Sequence, residues 1–229
     1  MPRAIDRDAI YRRRRFNSED IELCVRWYIT YRLSYRDLVA MMADRGVRLT
    51  HTTIMRWVTR YVPVYIERWN RWSKPVGRSW RVDETSIAVR GQKHYLYRAV
   101  DKAGKTVASM LSDARTMQAA QEFFRGAVCA SGSCWPEKIN LDRYHASHKA
   151  LQLLGEEDVR WQSVVVRGNR YLNNVVEQDH RAVKQRCAPM LGFKSGARAA
   201  VTLAGLSWRI ALVAPAPAPR RGVGIVRSC

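Results

Sequence analysis

Three carboxylates are placed where a folded chain can gather them for metal chemistry: Asp83 inside a β-like run, Asp142 directly after another, and Glu177 on a stretch of helical pattern. Carboxylate oxygen suits hard divalent ions, and magnesium is commonly held by a few such groups together with substrate phosphate and water. A cleft of three acids can seat two ions about 3.5–4 Å apart around one scissile phosphate, activating the attacking oxygen and stabilising the leaving one. Taken singly, each is an ordinary surface or strand-end acid. Glu84 and Asp179 are not expected to join them, because adjacent strand residues face opposite sides and Asp179 lies about 200° round a helix from Glu177.

The elements that must bring the acids together begin after Ser73-Lys74-Pro75-Val76-Gly77, where proline and glycine interrupt both helix and strand. Three β-like runs follow, Trp80 to Val89, His94 to Val100 and Thr106 to Leu111, separated by Arg90-Gly91-Gln92 and Lys102-Ala103-Gly104. They predict an antiparallel meander. A helix is expected over Thr116 to Val128, a brief strand over Lys138 to Leu141, a helix near Ser147 to Leu154, a strand at Ser163 to Val166, and a helix capped by Asn173 that runs through Val176, His180 and Val183. The order βββαβαβα predicts an α/β core, a mixed five-strand sheet covered by helices, since the later crossovers require parallel pairing. A last apolar helix is expected over about Ala197 to Leu212, before a Pro/Ala and basic tail at 214–229.

Ahead of this core the first 72 residues hold 15 arginines, no lysine and 8 acids. Residues 1–17, with the run Arg12 to Arg15, read as a basic arm that is either simply solvated or tracks DNA phosphates. Residues 18–72 read as an all-helical module. One helix starts at Ser18-Glu19-Asp20 and repeats Ile21, Cys24, Val25 and Tyr28; a second is capped by Ser34 and stops near Arg45-Gly46. A third starts at Thr50 or His51, buries Ile54, Trp57, Val58 and Tyr61, and is expected to end at Pro63. Off its buried stripe stand Thr52, Thr53, Arg56 and Arg60, short hydroxyls and long guanidiniums suited to base edges and phosphates. The pattern is that of a helix-turn-helix. A linker at 73–79 then separates this module from a core at 80–213.

Forty basic residues against 20 acidic ones give a formal net charge of +20, which favours a polyanionic partner. Five scattered cysteines without a secretory leader point to a reducing cytoplasm rather than a disulfide framework. Cys129 and Cys134 with His145 and His148 lack the paired spacing of a zinc site. No apolar run approaches the roughly 18 residues that span a bilayer, so the chain is expected to be soluble.

Several blocks carry a family resemblance: Trp80-Arg81-Val82-Asp83-Glu84-Thr85, Tyr95-Leu96-Tyr97-Arg98-Ala99-Val100-Asp101, and Tyr171-Leu172-Asn173-Asn174-Val175-Val176-Glu177-Gln178-Asp179-His180-Arg181. With Leu33-Ser34-Tyr35-Arg36-Asp37-Leu38, His51-Thr52-Thr53-Ile54 and Pro189-Met190-Leu191-Gly192-Phe193-Lys194-Ser195, the chain resembles the insertion-sequence-six transposases, the group of insertion sequence twenty-six, over roughly residues 16 to 210. The 34 residues between Asp142 and Glu177 match that family's spacing. The resemblance implies a ribonuclease-H-like integrase core in which Asp83, Asp142 and Glu177 coordinate two magnesium ions, with manganese as the alternative ion. It also implies cleavage and strand transfer at terminal inverted repeats of double-stranded DNA, a replicative route through cointegrates, and a homodimer or larger assembly. Arg181 and Lys184, four and seven residues beyond Glu177, share its helix face and would hold DNA phosphates; the position of Lys184 resembles the family's basic residue there.

The chain departs from the family pattern at Arg143-Tyr144-His145-Ala146-Ser147-His148, where smaller residues are usual, and in its tail. Two rival readings are a DNA-binding regulator and a transposase remnant that binds ends without joining them. Metal-dependent cleavage of terminal-repeat DNA separates all three.

Overall fold

Three helices form the N-terminal part of the computed structural model, which describes residues 9–11, 15–31, 33–71, 75–142, 145–168, 181, 183–185, 187 and 193–207. α1 spans Ser18–Thr30, α2 Tyr35–Asp44 and α3 His51–Asn70. Their apolar stripes close on one another: Ile21, Cys24, Val25 and Tyr28 of α1, Leu38 and Met42 of α2, and Ile54, Trp57, Val58 and Tyr61 of α3 are buried in one cluster. Ser34 and Asp37 form a reciprocal capping box at the start of α2, and Gly46 takes the positive φ (77°) that lets the chain leave it. Part of the basic arm is anchored here too. A 3-10 turn at Ala9–Tyr11 buries Tyr11 against Tyr61 and hydrogen-bonds its hydroxyl to that of Tyr65 at 2.7 Å.

Pro63 does not end α3, contrary to expectation, but lies inside it. Its ring removes the amide that would bond the Thr59 carbonyl, a loss that in a helix interior costs about 3 kcal/mol. Both Pro63 and Thr59 are exposed, so water can take that carbonyl. Tyr61 and Val62 before the proline, and Tyr65 and Ile66 after it, all pack into the helical cluster. Burial on both sides of the proline outweighs the missing bond.

The core opens with a meander of β1 (Ser79–Val89), β2 (Gln92–Asp101) and β3 (Thr106–Ser112). Arg90 and Gly91, with φ of 52° and 75°, make the two-residue turn between β1 and β2 that suits the twist of a hairpin. α4 (Met117–Ala130), β4 (Lys138–Leu141), α5 (His145–Glu157), a one-turn α6 (Val159–Gln162) and β5 (Val165–Gly168) follow. The sheet order is β3-β2-β1-β4-β5, with β1, β2 and β3 antiparallel and β1, β4 and β5 parallel, the mixed five-strand sheet expected. β5 begins two residues later than expected, because Ser163 serves as the C-cap of α6 and its hydroxyl bonds the Arg160 carbonyl.

One sheet face carries Trp80, Val82, Tyr97 and Ala99 and packs under α4 and α5. The other carries Ile87, Val89 and Leu96 and packs against Val183, Phe193 and the last described helix, α7 (Gly196–Ser207). α7 also touches the helical module: Val201 joins that cluster, and a Cβ on Gly205 would meet Val62 Cγ1 at 2.9 Å and Ile29 Cδ1 at 3.2 Å. The expected extension of this helix to Leu212, and the helix start at Asn173, lie outside the described residues.

Candidate active site

The β1–β4 ladder pairs Ser79 with Lys138, Trp80 with Ile139 and Arg81 with Asn140. Carrying this constant offset two steps further sets Val82 level with Leu141 and Asp83 level with Asp142, on strands that run about 4.8 Å apart. By that offset two of the three expected acids stand level just past the last paired step of the ladder, at the carboxyl end of β4, where open α/β sheets place their ligands. Both are part-buried. Asp83 Oδ1 accepts the Glu84 amide at 2.8 Å, which restrains its rotamer. The imidazole Nε2 of His148, one turn into α5, donates to the Asp142 backbone carbonyl at 2.9 Å and ties the end of β4 to the helix that follows.

Glu84 faces the other way, as the alternation of a strand requires. Its side chain is 4% exposed, ion-paired with Arg115 at 2.7 Å and accepting from the Ser147 hydroxyl, so it fastens β1 to the starts of α4 and α5. Arg98 is a residue that sequence reasoning missed. It lies directly opposite Asp83 in the β1–β2 register, is 3% exposed, and donates from Nη2 to Thr106 Oγ1 at 3.1 Å. Thr106 in turn donates to the Ser207 carbonyl at 2.6 Å, which fixes the end of α7 on β3. Only the strand register reveals this chain; β-like composition carried no sign of it.

Glu177 lies outside the described residues, as does Asp179. Among the described residues no three His, Cys, Asp or Glu side chains cluster as a metal site. Arg181 and Lys184 are helical and exposed, while Val183 between them is buried with Ile87 and Val89, on the Asp83 face of the sheet. Thr52, Arg56 and Arg60 are exposed and Thr53 part-buried near the start of α3. The Thr50 hydroxyl hydrogen-bonds those of Thr52 and Thr53 at 2.8 and 3.0 Å. His145 is exposed at the first turn of α5, and no described helix is long and apolar enough to cross a membrane.

A helix trio ahead of a mixed five-strand sheet, with Asp83 and Asp142 near the carboxyl end of β4, is the frame that comparison with known proteins specifies. The family model for the DDE domain of IS240-type transposases matches residues 77–212. The transposase for the insertion sequence-like element IS431mec of Staphylococcus aureus is 34% identical over 176 residues, 77% of this chain and 77% of the relative. The transposase for insertion sequence element IS257 in transposon Tn4003, also from Staphylococcus aureus, matches to the same extent. Among solved structures, the magnesium-bound HTLV-2 integrase catalytic core is similar at TM-score 0.41 and 18% identity, covering 51% of this chain and 73% of that one. The Mos1 mariner transposase catalytic domain gives TM-score 0.39 and 15% identity, covering 68% and 89%. The chain belongs to the IS240-type DDE transposases of insertion sequences. Its core is that family's DDE domain, carried on the mixed five-strand sheet, and its substrate class is DNA.

Proposed function

We propose that the chain binds the terminal inverted repeats of its own element, cuts a strand at each end and joins the freed 3′ hydroxyl to target DNA by a replicative, cointegrate-forming route. The observation that most supports the reading is the β1–β4 register, whose offset, continued two residues past Arg81 and Asn140, brings Asp83 level with Asp142. Glu177 completes the set. In its support, Val183, six residues beyond it, is buried on the sheet face that bears Asp83.

Asp83, Asp142 and Glu177 would hold the metal, and an all-oxygen carboxylate donor set fits magnesium, or manganese in its place. When bound, paired ions of this kind activate an attacking oxygen and stabilise a leaving one. The chain's own residues supply the rest. The Glu84 amide restrains the Asp83 carboxylate, and His148 holds the backbone at Asp142. Arg181 and Lys184 steady the DNA strand by its phosphates, and Thr52, Thr53, Arg56 and Arg60 engage the repeat. A homodimer or larger assembly brings the two ends together.

The test is strand transfer of end-bearing duplexes with magnesium by Asp83→Asn, Asp142→Asn and Glu177→Gln. Each is expected to lose at least about a thousandfold in rate while still binding DNA, the scale seen when catalytic groups are removed. Normal joining by any one of them removes that residue from the ligand set.

A further inference from the structure

A cavity of about 650 Å³ opens between the helical module and α7, and four guanidinium groups from three separate stretches line it. Arg15 comes from the segment before α1, Arg56 and Arg60 from successive turns of α3, and Arg198 from the first turn of α7. All four are exposed, and no carboxylate is among the described lining residues. The inner wall is aromatic, with Phe16 set edge-on to Trp57 at 5.1 Å. Arg15 lies over the Phe16 ring and Arg60 over the Tyr61 ring, each at 5.9 Å, which restricts where these side chains can go.

Helix packing places Arg198 there. Val201 and Gly205, one and two turns further along α7, face the helical module, and Arg198 lies on the same side. Among the described residues, neither helix stability nor ion pairing accounts for Arg198. A cation in the first turn opposes the helix dipole, α7 has no acid in that turn, and three more cations share the cavity. Such a cluster is stabilised by an anion that bridges it.

We propose that this cleft grips backbone phosphates of the duplex that α3 enters, so that the catalytic core, through Arg198, holds the same DNA as the helix pair. The inference rests on the transposition reading and adds Arg15 and Arg198 to its DNA contacts. The ligand is the phosphodiester backbone: guanidiniums around an aromatic wall can pair with phosphate oxygens on any sequence.

The experiment measures binding of the full chain to a labelled duplex of about 30 base pairs bearing the element's own end, with chelator present, from roughly 50 to 300 mM KCl. For Arg198→Ala, and separately Arg15→Ala, the slope of log affinity against log salt is expected to fall by about 1, with roughly three- to tenfold weaker binding at low salt. Arg198→Lys should recover most of the slope because it keeps the point charge. An unchanged thermal melt shows that the variants fold. A wild-type slope in Arg198→Ala, beside a wild-type chain that joins ends normally, overturns the cleft and leaves the transposition reading intact. A wild-type chain that neither binds nor joins its ends overturns both.

Discussion

Asp83 stands directly across the β1–β2 ladder from Arg98, one of the few charged residues buried in the sheet. A cation is costly to bury unless its donors are used, and Arg98 spends one on the Thr106 hydroxyl that also holds the end of α7. Arg98→Ala is expected to lower stability by about 2–3 kcal/mol in urea titrations, the range for losing hydrogen bonds to a charged group. Arg98→Lys should lose part of this, since it cannot reproduce the planar fork. A loss under about 0.5 kcal/mol for Arg98→Ala would contradict the structural role.

Glu84 provides the contrast with its neighbour. Glu84→Gln should cost about 1–2 kcal/mol of stability, discounted because Arg115 is 32% exposed and screened by water. Strand transfer should keep its dependence on magnesium concentration. A shifted metal requirement in this variant would mean that Glu84 belongs to the proposed ligand set.

The close approach of α7 to α3 makes Gly205 intolerant of a methyl group. Gly205→Ala puts a Cβ 2.9 Å from a branch methyl of Val62, and overpacking of this kind costs about 1–3 kcal/mol. Adding Val62→Ala should restore part of the loss, giving a coupling energy of at least about 0.5 kcal/mol in the double-mutant cycle. Strict additivity would place the strain elsewhere.

Burial, helped by the charge of Asp20, pushes the Cys24 thiol up to about 12. In the unfolded chain a thiol ionises near about 8.5. The stability linked to Cys24 is therefore fully present below about pH 8.5 and lost as pH rises toward 12, roughly 2 kcal/mol by pH 10. Cys24→Ala should flatten that part of the stability profile. In native protein near neutral pH, mass spectrometry after iodoacetamide should find exposed Cys129 alkylated long before Cys24. Equal labelling of the two would show that α1 opens readily.

Much of this arrangement was legible in the sequence because it is local or periodic. The Ser34 cap, the buried stripe Ile54, Trp57, Val58 and Tyr61, the Lys138–Leu141 strand and the turn of Glu84 away from Asp83 all follow from spacing of a few residues. Pro63 was misread because a local rule met burial on both sides of the proline. The start of β5 was misread because a serine between two short elements can cap a helix as readily as open a strand. Arg98 gave no sign of its role, which exists only once strands are in register, and His148 stood out only as a departure from the family pattern, not as a tie to the Asp142 carbonyl. Gly205 was equally silent: a glycine in an apolar helix acquires meaning only when Val62 arrives beside it.

α7 has its own consequence for how the molecule comes apart. Ala199, Leu203 and Leu206 belong to the sheet cluster, while Val201 and Gly205 of the same short helix touch the helical one. Heat that frees this segment strips a wall from both hydrophobic interiors at once, so neither half keeps a private melting point, despite the proline- and glycine-bearing joint between them.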